Sequence, residues 1–288
     1  MNAETKVPLW KARVRVPAHE TARTMALFEL TPHPEPVAVL SHEVPGEDDI
    51  TVEALYAEPA DEAALTEIIG HAVQVAPLPD QDWIKLSYEG LPPVRAGRFF
   101  VYGAHDRGRV PGNVIPLAID AGEAFGTGHH ETTSGCLEAI ADILRERHPR
   151  RVLDLGTGTG VLAIAIAKAS GLRVLATDLD PRAVAVANAN VIRNGAQGLV
   201  RCVTADGFAH EAVAQGKPWN FIVANILAGP LTRLAPAMRA HMAPGGQLVL
   251  SGLLRNQEAI VLGFYHGNGF RLRRRYRRGP WSTLWLTL

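Results

Sequence analysis

With 288 residues, 47% of them hydrophobic and 20% charged, the chain can bury a substantial core and is not of the disordered class; its length suits a large domain plus a partner of roughly 100 residues. Two distant cysteines, Cys136 and Cys202, exclude a disulfide framework or zinc ribbon. No stretch approaches the roughly 18 apolar residues of a membrane span and the first residues (MNAETK) lack a signal-type run, so a cytoplasmic location is expected.

The formal net charge is zero, but the signs are segregated. Thr24 to Pro93 holds 14 Asp and Glu against one basic residue, Lys85, whereas Arg271 to Arg278 holds six arginines in eight positions. An acidic front half repels phosphate and attracts a lysine-rich protein.

In chain order, Trp10 to Val16 alternates apolar with basic residues and predicts a strand, followed by a helix over Ala18 to Leu30. Strands at Val37 to Val44 and Ile50 to Tyr56 flank a turn cluster. A second helix over Asp61 to Ala72 and a closing strand over Val73 to Leu78 complete a β-α-β-β-α-β order, the pattern of a ferredoxin-like unit. Residues 1–92 are therefore expected to form a ferredoxin-like domain. The Pro- and Gly-punctuated stretch 93–118 is expected to be a linker with one short strand at Arg98 to Tyr102.

From Arg150 onward strands and helices alternate, which predicts an α/β fold with a mostly parallel sheet covered on both faces. The strands are Arg151 to Leu155, Arg173 to Thr177, Val200 to Thr204, Phe221 to Asn225 and Gln247 to Ser251; helices fall between them at Val161 to Ser170, Pro181 to Asn194, Leu231 to Met242 and Asn256 to Gly267. Phe270 to Arg277 and Thr283 to Leu288 predict an antiparallel terminal hairpin. The arginines of that hairpin, alternating in direction, are expected to form two short rows on a charged edge strand rather than one nucleic-acid patch.

Chemistry concentrates at the strand ends. The run RVLDLGTGTG, Arg151 to Gly160, places Gly156, Gly158 and Gly160 between a buried strand and an apolar helix, where backbone turns sharply and free N–H groups meet a ligand. Asp178 ends the next strand, 22 positions after Gly156, where a carboxylate accepts from both ribose hydroxyls. Asp206 and Gly207 end the third strand, beside an expected adenine edge. The spacing G-x-G-x-G differs from the dinucleotide fingerprint G-x-G-x-x-G. It resembles instead the first motif of the class I S-adenosylmethionine methyltransferases, with Asp154 ahead of the loop.

Two further segments narrow the resemblance: AFGTGHHETTS, Ala124 to Ser134, and VANILAGP, Val223 to Pro230. With DLGTGTG they closely resemble the methyltransferases of ribosomal protein L11, the PrmA family, from about Ile119 to the carboxyl end. The resemblance implies a methyltransferase domain over 119–288 with a class I, Rossmann-like sheet, and makes the ferredoxin-like front domain, residues 1–92, the substrate-recognition domain. It implies transfer from S-adenosylmethionine, leaving S-adenosylhomocysteine, to lysine or N-terminal amines of ribosomal protein L11. A monomer with neither obligatory nucleic acid nor membrane is expected. Carried over by residue, the resemblance points to ligand contacts at Thr133, Gly156, Asp178 and Asn225; with the same motifs and strand ends, the expected cofactor set also takes in Phe125, Asp154, Thr157, Gly158, Gly160, Leu179, Asp206 and Gly207. Asn225, His130 and Thr133 stand nearest the chemistry. A metal at His129, His130 and Glu131 is not expected, because adjacent residues do not share a face. The alternatives are a methyltransferase of another protein, an RNA methyltransferase, or a donor-binding module without catalysis. The arginine run favours the RNA reading and the acidic front half opposes it.

Overall fold

Alternation decides the first sheet. In β1 (Trp10–Pro17) Ala12, Val14 and Val16 point inward while Arg13 and Arg15 stay exposed, as a half-buried strand requires. The computed structural model describes residues 10–31, 34–43, 49–77, 93–119 and 131–288, and the chain divides into compact units at Met1–Gln81 and Asp82–Leu288. In the first unit β1 pairs antiparallel with β3 (Asp49–Tyr56) and with β4 (Gln74–Pro77), and β2 (Pro36–Glu43) closes the order β2-β3-β1-β4. A 3-10 turn leads into α1 (Thr21–Glu29), whose Met25 and Phe28 are buried. The second helix, α2 (Glu62–Ile69), starts where the Asp61 carboxylate accepts from the N–H groups of Ala63 and Ala64 and stops at left-handed Gly70. This is the ferredoxin-like arrangement expected from the element order.

In the second unit a sheet stands where the sequence predicts a linker. Residues 93–118 form a three-stranded sheet of β5 (Val94–Ala96), β6 (Phe99–Tyr102) and β7 (Ile115–Ala118). Phe99, Val101 and Leu117 are fully buried there. The Asn194 amide brackets the backbone of Ala118, donating to its C=O and accepting from its N–H, and the Lys168 ammonium donates to the Pro116 carbonyl at 2.6 Å. Short strands punctuated by turn residues hid a sheet whose core lies in the neighbouring helices.

A second unread element, the helix α3 (Glu131–Glu146), buries Thr133, Cys136, Leu137, Ile140 and Ile143. Those positions recur at helical spacing, a signal open to a sequence reader.

The main sheet has the order β10-β9-β8-β11-β12-β14-β13. Its strands are β8 (Val152–Leu155), β9 (Val174–Asp178), β10 (Val200–Thr204), β11 (Trp219–Asn225), β12 (Met242–Leu254), β13 (Arg271–Arg278) and β14 (Trp281–Thr287). All pairings from β10 through β12 are parallel, and β14 runs antiparallel to both of its neighbours. Helices α4 (Val161–Ser170), α5 (Pro181–Arg193), α6 (Glu211–Gly216), α7 (Ala228–His241) and α8 (Glu258–Gly267) fill the crossovers. The chain winds outward from β8 to β10 and then returns to β11 on the other side of β8. The topological switch point, where open parallel sheets bind ligands beyond the carboxyl ends of their strands, therefore lies between β8 and β11.

Strand β13 is an edge, and its arginines do split into two rows. Arg275 and Arg277 reach Glu258 of α8 on one face at 3.0 and 2.8 Å, while Arg274 pairs with Asp142 and Arg278 with Glu138 of α3 on the other. The Arg277 guanidinium holds the Glu258 carboxyl below its ordinary range, against the opposing pull of burial. No helix among the described residues is long and apolar enough to cross a membrane.

Candidate active site

The glycine loop between β8 and α4 turns through positive φ at Gly156, Gly158 and Gly160 (71°, 55° and 83°), a backbone region that L side chains rarely enter. The three glycines serve different ends. A Cβ on Gly156 would stand 2.3 Å from Ile226 Cγ2, just past β11, so the loop and the end of β11 touch at the switch point. A Cβ on Gly160 would press on Ala187 of α5 at 3.2 Å, which makes that glycine a packing requirement between α4 and α5. The N–H of Gly158 donates to Asp178 Oδ2 at 2.8 Å, joining the loop directly to the carboxylate at the end of β9.

Asp178 also accepts from the Asp180 N–H through Oδ1 at 3.1 Å. Burial raises its pKa, and the Gly158 and Asp180 N–H groups partly counter that. Each oxygen retains acceptor capacity for a further donor. Next to it Leu179 is 69% exposed, a large apolar side chain held in solvent beside a carboxylate. Asp206 is exposed one strand over, and Gly207 turns there with φ 50°.

Asp154 is placed differently from the other two strand-end acids, Asp178 and Asp206. It is fully buried, and its Oδ2 accepts from the Thr157 hydroxyl at 2.6 Å and from the Ala163 N–H at 3.0 Å. It therefore ties the loop to the first turn of α4 from inside. Burial pushes its pKa up to about 7 despite those donors. Thr157 is likewise buried and spends its hydroxyl on Asp154.

On the other side of the switch point, Asn225 ends β11 in register with Ser251 of β12 and is half-buried. The Ser251 hydroxyl lies 2.6 Å from Thr283 Oγ1 and donates to the Thr132 carbonyl at 3.3 Å, which fixes the first turn of α3 at the same edge of the sheet. Gly135 permits that approach, since a Cβ there would meet Thr283 Oγ1 at 2.4 Å. Thr133, in the same turn, is fully buried and its Oγ1 has no hydrogen-bond partner among the described residues. An orphaned buried hydroxyl is costly and marks a place where a ligand atom would complete the bonding. Phe125, His129 and His130 lie outside the described residues.

Sequence reading missed the Ser251 and Thr283 hydroxyls and Gly252. Gly252 has φ 83°, and a Cβ there would collide with the Ile226 carbonyl at 2.3 Å. A glycine directly after a buried strand run is the available signal for such close backbone approach. Both cysteines are free, and burial raises each thiol to about 12, which removes them from the chemistry.

The strand order, the single reversed strand and the glycine loop at the switch point define the class I methyltransferase fold. A solved ribosomal protein L11 methylase from Lactobacillus delbrueckii subsp. bulgaricus superposes with a TM-score of 0.58 at 27% identity, covering 67% of this chain and 97% of that one. The family model described as ribosomal protein L11 methyltransferase (PrmA) matches residues 20–287, and the chain belongs to that family. A protein named ribosomal protein L11 methyltransferase from Mesorhizobium japonicum is 49% identical over 278 residues, spanning 93% of this chain and 95% of the relative. A second of that name, from Rhizobium leguminosarum bv. trifolii, is 45% identical over 263 residues, 88% and 89% of the two chains.

Proposed function

We propose that the chain transfers the methyl group of S-adenosylmethionine to amine nitrogens of ribosomal protein L11. The observation that carries the reading is the bond from the glycine loop to Asp178, Gly158 N–H to Oδ2 at 2.8 Å, with the loop and the carboxylate turned toward each other. When bound, the donor supplies an electrophilic methyl on a positively charged sulfur and leaves as S-adenosylhomocysteine.

The residues present fit that molecule. Asp178 has acceptor capacity for the ribose hydroxyls, and Leu179 offers an apolar face to the adenine, whose edge Asp206 and Gly207 would meet. The unpartnered Thr133 hydroxyl and the Asn225 amide stand on the far side of the switch point, where they would hold the methionine end and orient the incoming amine. Asp154 acts through the loop, fixing its shape from below. His130 and Phe125 complete the set by resemblance and would border the transfer channel.

The donor is activated by its own charge, so the chain's work is positioning and exclusion of water. A lysine amine, with a reference pKa near ~10.4, must shed its proton to solvent before attack; an apolar channel and the nearby positive charge favour the neutral form. No strong base is demanded. The acidic ferredoxin-like unit would dock the lysine-rich substrate, and the protein would act as a cytoplasmic monomer.

The test is a mass spectrum of purified ribosomal protein L11 after incubation with enzyme and S-adenosylmethionine. Methyl increments on lysine or the N-terminal amine support the reading. An unmodified protein alongside label in ribosomal RNA rejects it.

A further inference from the structure

At the opposite end of the main sheet, where β8, β9 and β10 begin, lies an open groove of about 410 Å³. Four exposed arginines line it: Arg150, Arg151, Arg173 and Arg201, with Gln197 and Gln215 between them. Their convergence follows from the strand register. Val152 of β8 is level with Val174 of β9, which is level with Val200 of β10, so Arg151, Arg173 and Arg201 emerge within one residue of the same line.

No carboxylate lines the groove, and among the described residues Arg150, Arg173 and Arg201 form no ion pair. This contrasts with the arginines of β13, four of which are paired with carboxylates. Arg151 is partly engaged, donating to the Lys217 carbonyl at 3.0 Å. Like charges gathered over an apolar floor of Val152, Val174 and Leu175 focus a positive potential outward.

We propose that this groove docks the phosphate and sugar backbone of double-helical RNA. Guanidinium forks match phosphate oxygens in bidentate geometry; the Gln197 amide can both donate to and accept from ribose 2′-hydroxyls, while Gln215, whose Nε2 donates to Glu211 at 2.6 Å, keeps its oxygen as an acceptor. The aromatic residue of the lining, Trp219, is only 4% exposed, so the groove has no platform on which unpaired bases would stack. The backbone of a paired stem is what remains to be read. The choice of RNA among polyanions rests on the ribosomal substrate proposed above, while the groove does not. Docking here would leave the switch-point edge free, because the two lie at opposite ends of the strands.

The test uses the full chain and a labelled RNA hairpin with a stem of about 16 base pairs, titrated by fluorescence anisotropy between about 50 and 200 mM salt. The wild type is expected to show log-log salt dependence with a slope of about −3 to −4. The triple variant Arg150→Gln, Arg173→Gln, Arg201→Gln is expected to lose at least about tenfold in affinity at the lowest salt and about 2 to 3 of that slope. Unchanged binding by the variant overturns the proposal, as does equal competition by polyglutamate, which would assign the groove to an acidic protein. Methylation of free ribosomal protein L11 is followed in parallel. A protein that methylates while its RNA binding ignores these arginines loses the groove alone; one that binds RNA through them and transfers no methyl loses only the methyl-transfer reading.

Discussion

The two ends of the main sheet carry opposite kinds of side chain. At the carboxyl ends of β8, β9 and β10 the chain sets Asp154, Asp178 and Asp206, and at their amino ends it sets Arg151, Arg173 and Arg201. The ends also differ in construction. The carboxyl end is tightly built: three positive-φ glycines in one loop, a carboxylate locked beneath it, and the Ser251 hydroxyl of β12 bonded both to Thr283 of β14 and to the Thr132 carbonyl of α3. The amino end is loose, with long exposed side chains held by few bonds. A small cationic donor needs a rigid, pre-shaped cradle, whereas a polyanionic surface needs only charge that can adjust to it.

That contrast can be broken most forcefully at Asp154. Its folded-state pKa of about 7 lies above the ordinary value of 3.8, so the native state holds the proton more tightly than the unfolded chain. The stability this gives is full below about pH 4 and is lost as pH rises to about 7, a change on the order of 4 kcal/mol. Asp154→Asn should abolish this decline, so that the difference in melting temperature between the two proteins grows in favour of the variant from pH 4 to pH 8. Parallel profiles would show that Asp154 remains ionised in the fold.

Next in size is Gly252→Ala. Positive φ and a Cβ placed 2.3 Å from the Ile226 carbonyl should destabilise by about 3 kcal/mol and lower the melting temperature by roughly 6 to 12 °C. A loss of under about 1 °C would mean that the end of β11 yields, and that the cradle is less rigid than its geometry implies.

Asp178→Ala acts on binding more than on folding. Losing the carboxylate proposed to bind two ribose hydroxyls, together with the anchor of Gly158, should weaken S-adenosylmethionine at least about 100-fold by calorimetry. RNA-hairpin affinity should be unchanged, and a matched loss of both would refute the independence of the two ends.

The smallest effect belongs to neither end. Glu258→Gln leaves Arg275 and Arg277 without their carboxylate and should cost about 1 kcal/mol, seen as a fall of roughly 2 to 4 °C, with donor binding intact.

What the sequence disclosed follows the same division. Elements whose periodicity is local were legible: the seven strands of the main sheet, the ferredoxin-like order, and the loop with Asp178, because buried parallel strands read as continuous apolar runs and glycine triplets punctuate them. The three-stranded sheet at 93–118 was not, since its short strands gain their core from α3 and α4 and are pinned by Asn194 and Lys168, some 50 to 76 positions away in sequence. Nor was the buried position of Asp154. A motif places an acid before a glycine loop but does not say whether it faces the ligand or the core. The groove arginines, at 150, 151, 173 and 201, become a group only through strand register.

The edge strand β13 has a last consequence. An unpaired ladder invites a strand from another molecule to add to the sheet. Here any such newcomer would lie beside guanidinium pillars anchored to α3 on one face and α8 on the other, and it would have to strip water from them to settle. The fence of arginines thus sets a desolvation cost on edge-to-edge pairing between crowded copies of the chain.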